Sequence, residues 1–385
     1  MYTRLLQIDH HASKSFFLFG PRGTGKTSWV KTTFPDSIYI DLLDADFYTA
    51  LQPNPKRLNK YIPVNFKGWI VLDEVQKIPQ LLDEVHRLIE DKHYRFILTG
   101  SSARKLRKQG VNLLAGRALR YAMYPLTAIE MGNDFNLERA LIFGQLPSVI
   151  TEPQPQLYLK TYVSTYLREE VLQEGLTRNL MTFSRFLEVA SFSQGSLINM
   201  SEIARETGVT LKIISNYFDI LQDLLQSFFL PVFTKRAKRR MVSHPKFYYF
   251  DVGVYRALRP MGPLDTPNEV GGVAMESLFL QEIRAINEYL QYDYQFYYWR
   301  TSHGVEVDII AYGPKGLLAF EIKSKSYIDK NDLRGLKTFK ADYPEAKLFL
   351  ISGGSVREYH DDIQVIPIEM ALKELSDILN GDNKS

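Results

Sequence analysis

Gly20-Pro21-Arg22-Gly23-Thr24-Gly25-Lys26-Thr27 follows the apolar stretch Phe16-Phe17-Leu18-Phe19 and opens a segment of helical spacing that ends near Phe34-Pro35. It reads G-x-x-x-x-G-K-T between a strand and a helix. Glycine-rich turns let backbone N–H groups close on a phosphate chain, and the helix behind them adds the positive end of its dipole. In that arrangement Gly20 to Thr27 and the adjoining Ser28 form the cradle. Lys26 reaches the β- and γ-phosphates, and the Thr27 hydroxyl is a ligand of Mg²⁺. The expected cofactors are therefore ATP and Mg²⁺.

Working outward, Ser37 to Leu43 reads as a second strand and Trp69-Ile70-Val71-Leu72-Asp73-Glu74 as a third. Four buried-type residues ending in two acids fit a parallel strand whose carboxyl end points into a nucleotide site. Asp73 is expected to hold Mg²⁺ and Glu74 to orient and polarise the attacking water. Pro79 to Lys92 has helical spacing and leads to Arg95-Phe96-Ile97-Leu98-Thr99-Gly100-Ser101-Ser102. Thr99 and Ser101 are candidates for polar groups beside the γ-phosphate; the alternative is that they only end a strand. Arg117, in Leu113-Leu114-Ala115-Gly116-Arg117-Ala118, is either a charged fork for a transferring phosphoryl group or a surface arginine.

Together with Tyr124-Pro125-Leu126-Thr127-Ala128-Ile129-Glu130, these stretches resemble the AAA-type ATPases of bacteria and archaea, in the branch that carries a C-terminal domain of unknown function. The resemblance covers most of the chain. It implies a five-stranded parallel sheet, ATP and Mg²⁺, and for Arg117 the role of an arginine finger.

Composition sets the frame around this core. A chain of 385 residues exceeds one ordinary core, so several domains are expected. An apolar share of 45% and a charged share of 24% are those of a globular protein. A net charge of +3 does not by itself argue for nucleic acid. With no cysteine, disulfides, thiol nucleophiles and Cys-bound zinc are excluded. No apolar run approaches a membrane span, and a cytoplasmic protein without membrane contact is expected.

Glu138 to Ser193 has helical spacing and reads as a lid or linker. Ser201 to Val209, with Ser201 as N-cap and Gly208 as stop, and a second helix from Leu211 to Leu225 form a helix-turn-helix. Phe228 to Phe233 and Lys246 to Phe250 complete it as a wing. Between them Lys235, Arg236, Lys238, Arg239 and Arg240 form a basic turn. It grips nucleic-acid phosphates in one reading and is a solvated turn of a packing module in the other. The second helix, with Ile213, Ile214, Tyr217, Phe218 and Ile220, offers few side chains suited to base edges.

After Gly271 the order is helix, three strands, helix, strand, with Glu276 on the helix, Asp308 on the second strand and Glu321-Ile322-Lys323 on the third. Period two puts Glu321 and Lys323 on one face. These residues resemble the PD-(D/E)XK nuclease core, with Val307-Asp308 in place of Pro-Asp. The resemblance implies a restriction-endonuclease-like α/β domain in which Asp308 and Glu321 bind a divalent metal and Glu276 and Lys323 complete the catalytic set. Crowded carboxylates repel one another, so a cation or a basic partner must compensate them.

The expected fold class is thus α/β, in four parts: an AAA-type ATPase domain over 1–131, a helical lid over 132–195, a winged helix over 196–260 and a nuclease-like domain over 261–385. Two functions follow. Either ATP hydrolysis is coupled to a nuclease-like domain acting on DNA or RNA, or the chain is an ATP-dependent switch whose C-terminal domain binds a protein or DNA and cuts nothing. A homo-oligomer is compatible with both.

Overall fold

The computed structural model describes residues 2–9, 12–102, 114, 116–166, 171–172, 179–262 and 265–381. Leu113 and Ala115, quoted above, lie outside them, as do parts of the segment expected to form a lid. The chain divides into two compact units, one made of Leu6–Tyr124 with Ile220–Gln226, the other of Met1–Leu5, Pro125–Asp219 and Ser227–Ser385. The boundary expected after residue 131 falls near the change at Tyr124–Pro125, and those expected after 195 and 260 lie inside one unit.

The first unit is built on strands β1 (Ser15–Phe19), β2 (Ile38–Asp41), β3 (Trp69–Asp73), β4 (Arg95–Gly100) and β5 (Ala118–Ala122). They form one sheet in the order β2-β3-β4-β1-β5, and every pairing is parallel. All five residues of β1 and all five of β3 are buried, as strands covered on both faces require. Phe17, Phe19, Ile70, Leu72, Phe96 and Leu98 pack with Leu81, Leu82, Val85 and Leu88 of the helix Leu81–Lys92. Because β4 lies between β1 and β3, its carboxyl end comes between the phosphate loop and Asp73.

The second unit holds a mixed six-stranded sheet, β12-β13-β11-β10-β9-β8, made of β8 (Gln295–Arg300), β9 (Glu306–Gly313), β10 (Gly316–Lys323), β11 (Lys347–Ser352), β12 (Glu358–His360) and β13 (Ile363–Pro367). Ile309, Leu318, Phe320, Phe349 and Ile351 pack with the helices Pro267–Tyr289 and Ile368–Asn380. Val307, Leu317, Ala319, Leu348 and Leu350 pack with Leu336 and Phe339 of the helix Arg334–Asp342. Strands β6 (Ser227–Leu230) and β7 (Lys246–Tyr249) form a separate antiparallel pair.

Two local expectations are corrected. The helix Met200–Thr207 is capped by the Asn199 side chain, which accepts from the Glu202 N–H, so Ser201 is already inside the first turn. Gly208 ends it at φ 71°, as expected. The segment Phe228–Phe233 does not stay in the β6–β7 pair. Val232 bridges Tyr298 of β8, and Phe233 enters an aromatic cluster with Tyr297, Phe339 and Tyr343. Met241 bridges Thr301 on the way back, so the basic turn 235–240 is pinned to the six-stranded sheet at both ends.

Buried polar groups tie the second unit together. Glu282 accepts from the Ala128 N–H at 2.8 Å and from the Gln145 amide at 2.7 Å. Gln145 in turn accepts from Gln281 at 3.0 Å, and its own N–H donates to Asp251 at 3.0 Å. Paired in this way, polar groups can be buried without the cost of losing water.

Candidate functional site

At the end of β1 the chain turns sharply into the helix Lys26–Thr33, and the N-cap Gly25 takes φ 88°, a left-handed conformation natural to glycine. Gly20 is needed for a different reason. A Cβ there would lie 2.4 Å from the carbonyl oxygen of Met123, so only glycine lets the loop leave the sheet at that point. Lys26 is 6% exposed, and its ammonium donates to the carbonyls of Gly20 at 2.7 Å and Pro21 at 3.1 Å. Thr24 donates to the Pro21 carbonyl at 2.8 Å, whereas Arg22, Thr27 and Ser28 are exposed.

Asp73 is the centre of the adjoining polar cluster. Buried at the end of β3, it accepts hydroxyl hydrogen bonds from Thr27 at 2.8 Å, from Tyr39 and from Thr99. The Thr99 hydroxyl also accepts from the Glu74 N–H at 3.2 Å, so one side chain joins both acids. Glu74 takes φ 59°, ψ 48°, an uncommon conformation for a residue with a Cβ and one that clusters at functional sites. Its carboxylate accepts from the Gln76 amide, which also donates to Ser101 at 3.2 Å. Close contact with the carboxylate and with Lys31 surrounds Tyr39: its ring lies 4.4 Å under the Lys31 ammonium, and burial followed by Asp73 pushes its hydroxyl well above the ordinary range.

The residues expected here are therefore brought together: Lys26, Thr27, Asp73, Glu74, Thr99 and Ser101 share one rim of the sheet. Tyr39 and Gln76 were not anticipated. Tyr39 sits in an ordinary alternating strand and carries no motif, whereas Gln76, two residues after the paired acids, was a signal that could have been read. Arg117 pairs with Glu90 of the helix Leu81–Lys92, and both side chains are partly exposed. The donor set fits a nucleotide with a divalent cation: a glycine-rich loop with Gly25 in the left-handed conformation at the head of a helix, a lysine beside it and a threonine–aspartate pair.

A second cluster of charge lies in the other unit, on β7, β9, β10 and the helix Pro267–Tyr289. It contains Glu276, Asp308, Glu321 and Lys323, the four residues expected to form a nuclease-like centre. Lys323 donates to Glu321 at 2.6 Å, and Asp308 accepts from the Ile322 N–H at 2.8 Å. The unanticipated member is Lys246, whose ammonium lies 2.6 Å from Glu306, 3.1 Å from Glu276 and 3.6 Å from Asp308. Tyr248, two residues on and so on the same face of β7, donates to Glu276. Burial raises the Glu276 carboxyl to about 7, with Lys246 opposing and Asp308 reinforcing. Glu321 is pushed well up by burial and then by Asp308, against Lys323. Among the described residues no group of three or more His, Asp or Glu side chains is arranged to hold a metal ion.

The basic turn is exposed from Lys235 to Arg240. Lys235 lies 4.0 Å over the Tyr312 ring and Arg239 pairs with Asp342 at 2.6 Å. On the helix Leu211–Asp223, Ile214, Tyr217 and Phe218 are buried, and Lys212, Ser215 and Asn216 are exposed. No helix among the described residues is long and apolar enough to cross a membrane.

Three stretches of the chain match families of known proteins. Residues 12–132 match the family described as "AAA domain", 134–265 a "Domain of unknown function (DUF8612)" and 271–371 a "Domain of unknown function (DUF4143)". An uncharacterized protein of Mycobacterium tuberculosis is 26% identical, with 94% of this chain and 82% of that protein covered. An uncharacterized protein of Methanocaldococcus jannaschii is 22% identical over 81% of this chain and 75% of its own length. Among solved structures, the Aeropyrum pernix ORC1 protein in complex with DNA is 15% identical with a TM-score of 0.26, covering 64% of this chain and 86% of that one. Protein VC1899 of Vibrio cholerae is 13% identical with a TM-score of 0.24, covering 90% and 97%. At these TM-scores neither likeness bears on the fold. The match over residues 12–132 is to an AAA domain, and it coincides with the parallel sheet, the phosphate loop and the Asp73 cluster.

Proposed function

We propose that the chain is a Mg²⁺-dependent ATPase whose turnover drives an interaction switch. The observation that carries the ATPase reading is the joining of Thr27, in the first turn of the helix after the glycine loop, to Asp73 at the end of β3 at 2.8 Å, and of Asp73 to Thr99 of β4. Lys26 binds the β/γ-phosphates, and Thr27 and Asp73 hold the cation. That cation, when bound, supplies positive charge against the charge that builds on the phosphoryl oxygens. Glu74 orients the attacking water, with Gln76 and Thr99 fixing its position and Ser101 holding Gln76. Arg117 acts as an arginine finger if it leaves Glu90.

The switch reading is preferred to the nuclease-coupled one because Lys246 stands among the carboxylates that a nuclease would reserve for metal. The partner is a protein or a nucleic acid, and the exposed Lys235, Arg236, Lys238, Arg239 and Arg240 are the proposed contacts for phosphates. ATP hydrolysis by the purified chain, measured alone and with duplex DNA, single-stranded DNA, RNA and co-purifying protein, tests the reading. Hydrolysis that requires Mg²⁺ and rises with one partner is expected. Absence of Mg²⁺-dependent hydrolysis in every mixture would overturn it.

A further inference from the structure

We propose that Lys246 is the resident cation of the Glu276–Asp308–Glu321 cluster, that the chain takes no divalent metal there, and that removing the ammonium opens the cluster to one. The strand β7 places Lys246 and Tyr248 on one face, and both reach Glu276. The Lys246 side chain is 4% exposed, so its ammonium has exchanged water for carboxylates. A buried ammonium persists only when paired. Here Glu276, Glu306 and Asp308 lie within 3.6 Å of it.

Charge counting leaves little for a metal to neutralise. The four carboxylates Glu276, Glu306, Asp308 and Glu321 face three cations, Lys246, Lys323 and Arg300, the last 3.1 Å from Glu306. One oxygen of each carboxylate is engaged: Glu276 accepts from both Lys246 and Tyr248 on one oxygen, Asp308 gives one to the Ile322 N–H and holds the other 3.6 Å from Lys246, and Glu321 gives one to Lys323. Among the carboxylate oxygens of this cluster, only the second oxygen of Glu321 is fully buried without a hydrogen-bond partner, and one such oxygen does not make a metal site. The residue types of a metal nuclease are present, but the position they surround belongs to lysine.

The test uses the full chain without nucleotide, titrated with Mn²⁺ and followed by calorimetry and by the electron paramagnetic resonance of free Mn²⁺. Wild type and Asp308→Asn are expected to titrate alike. Lys246→Ala is expected to take up one further equivalent, which Lys246→Ala combined with Asp308→Asn loses. An equivalent present in wild type and lost in Asp308→Asn would overturn the proposal, as would a folded Lys246→Ala that binds no extra Mn²⁺. The comparison of wild type with Asp308→Asn needs no lysine variant and decides the claim if Lys246→Ala does not fold. Because no nucleotide is present, failure here leaves the ATPase reading untouched.

Discussion

Single side chains carry most of the chemistry, and Thr99 is the most economical of them. Its hydroxyl donates to Asp73 and accepts from the Glu74 N–H, so it holds both acids in register. Thr99→Val keeps the volume and removes that link. ATP binding should survive, and turnover should fall about 10²-fold, the order expected when a reacting group is displaced by about an ångström. A nucleotide titration alongside steady-state hydrolysis checks both. At this scale the sequence was legible where motif and chemistry coincide, as at Lys26, Asp73 and Glu74. It was opaque where a residue's role depends on non-local pairing. Lys246 opens an aromatic strand and looks like a solvated edge residue until β9 and the helix Pro267–Tyr289 bring Glu306 and Glu276 to it. Tyr39 is hidden for the same reason.

Among the elements, strands and helices of the parallel sheet followed from apolar runs and turn residues, because burial on both faces leaves a strong signal. The end of the chain is less legible. Strands β12 and β13 are short and interrupted by polar residues, which leaves no clear alternation, whereas the helix Ile368–Asn380 is written in Ile368, Ala371, Leu372 and Leu375 at helical spacing. Two predictions belong here. In Gly20→Ala the new Cβ meets the Met123 carbonyl, which is backbone and cannot step aside. A loss of about 1–3 kcal/mol is expected for such overpacking, with weakened nucleotide binding. Denaturant unfolding and nucleotide titration would measure the two losses.

The second concerns the helix Pro267–Tyr289, where burial raises the Glu282 carboxyl from 4.5 to about 8, with Gln145 and the Ala128 N–H opposing. The folded state therefore keeps a proton that the unfolded state releases. This contribution to stability is complete below about pH 4.5 and is lost as pH rises toward about 8, at up to about 1.4 kcal/mol per pH unit. Glu282→Gln should flatten that slope, so its stability relative to wild type improves between pH 6 and 8. An unchanged slope in denaturant titrations across that range would contradict the assignment.

At the scale of the whole molecule, a stretch matching an AAA domain over residues 12–132 is followed in the chain by a unit whose charged cluster holds its own lysine. If Arg117 acts on a neighbouring copy, Arg117→Ala should bind ATP normally and hydrolyse it slowly. Mixing it with the binding-deficient Lys26→Ala should restore part of the rate. No recovery would exclude action in trans. Whether Glu74 works on bound ATP is decided by measuring ATP binding and Mg²⁺-dependent hydrolysis on wild type and Glu74→Gln in parallel. The predicted result is equal binding with turnover lost in the variant; equal hydrolysis rates in the two proteins would contradict it.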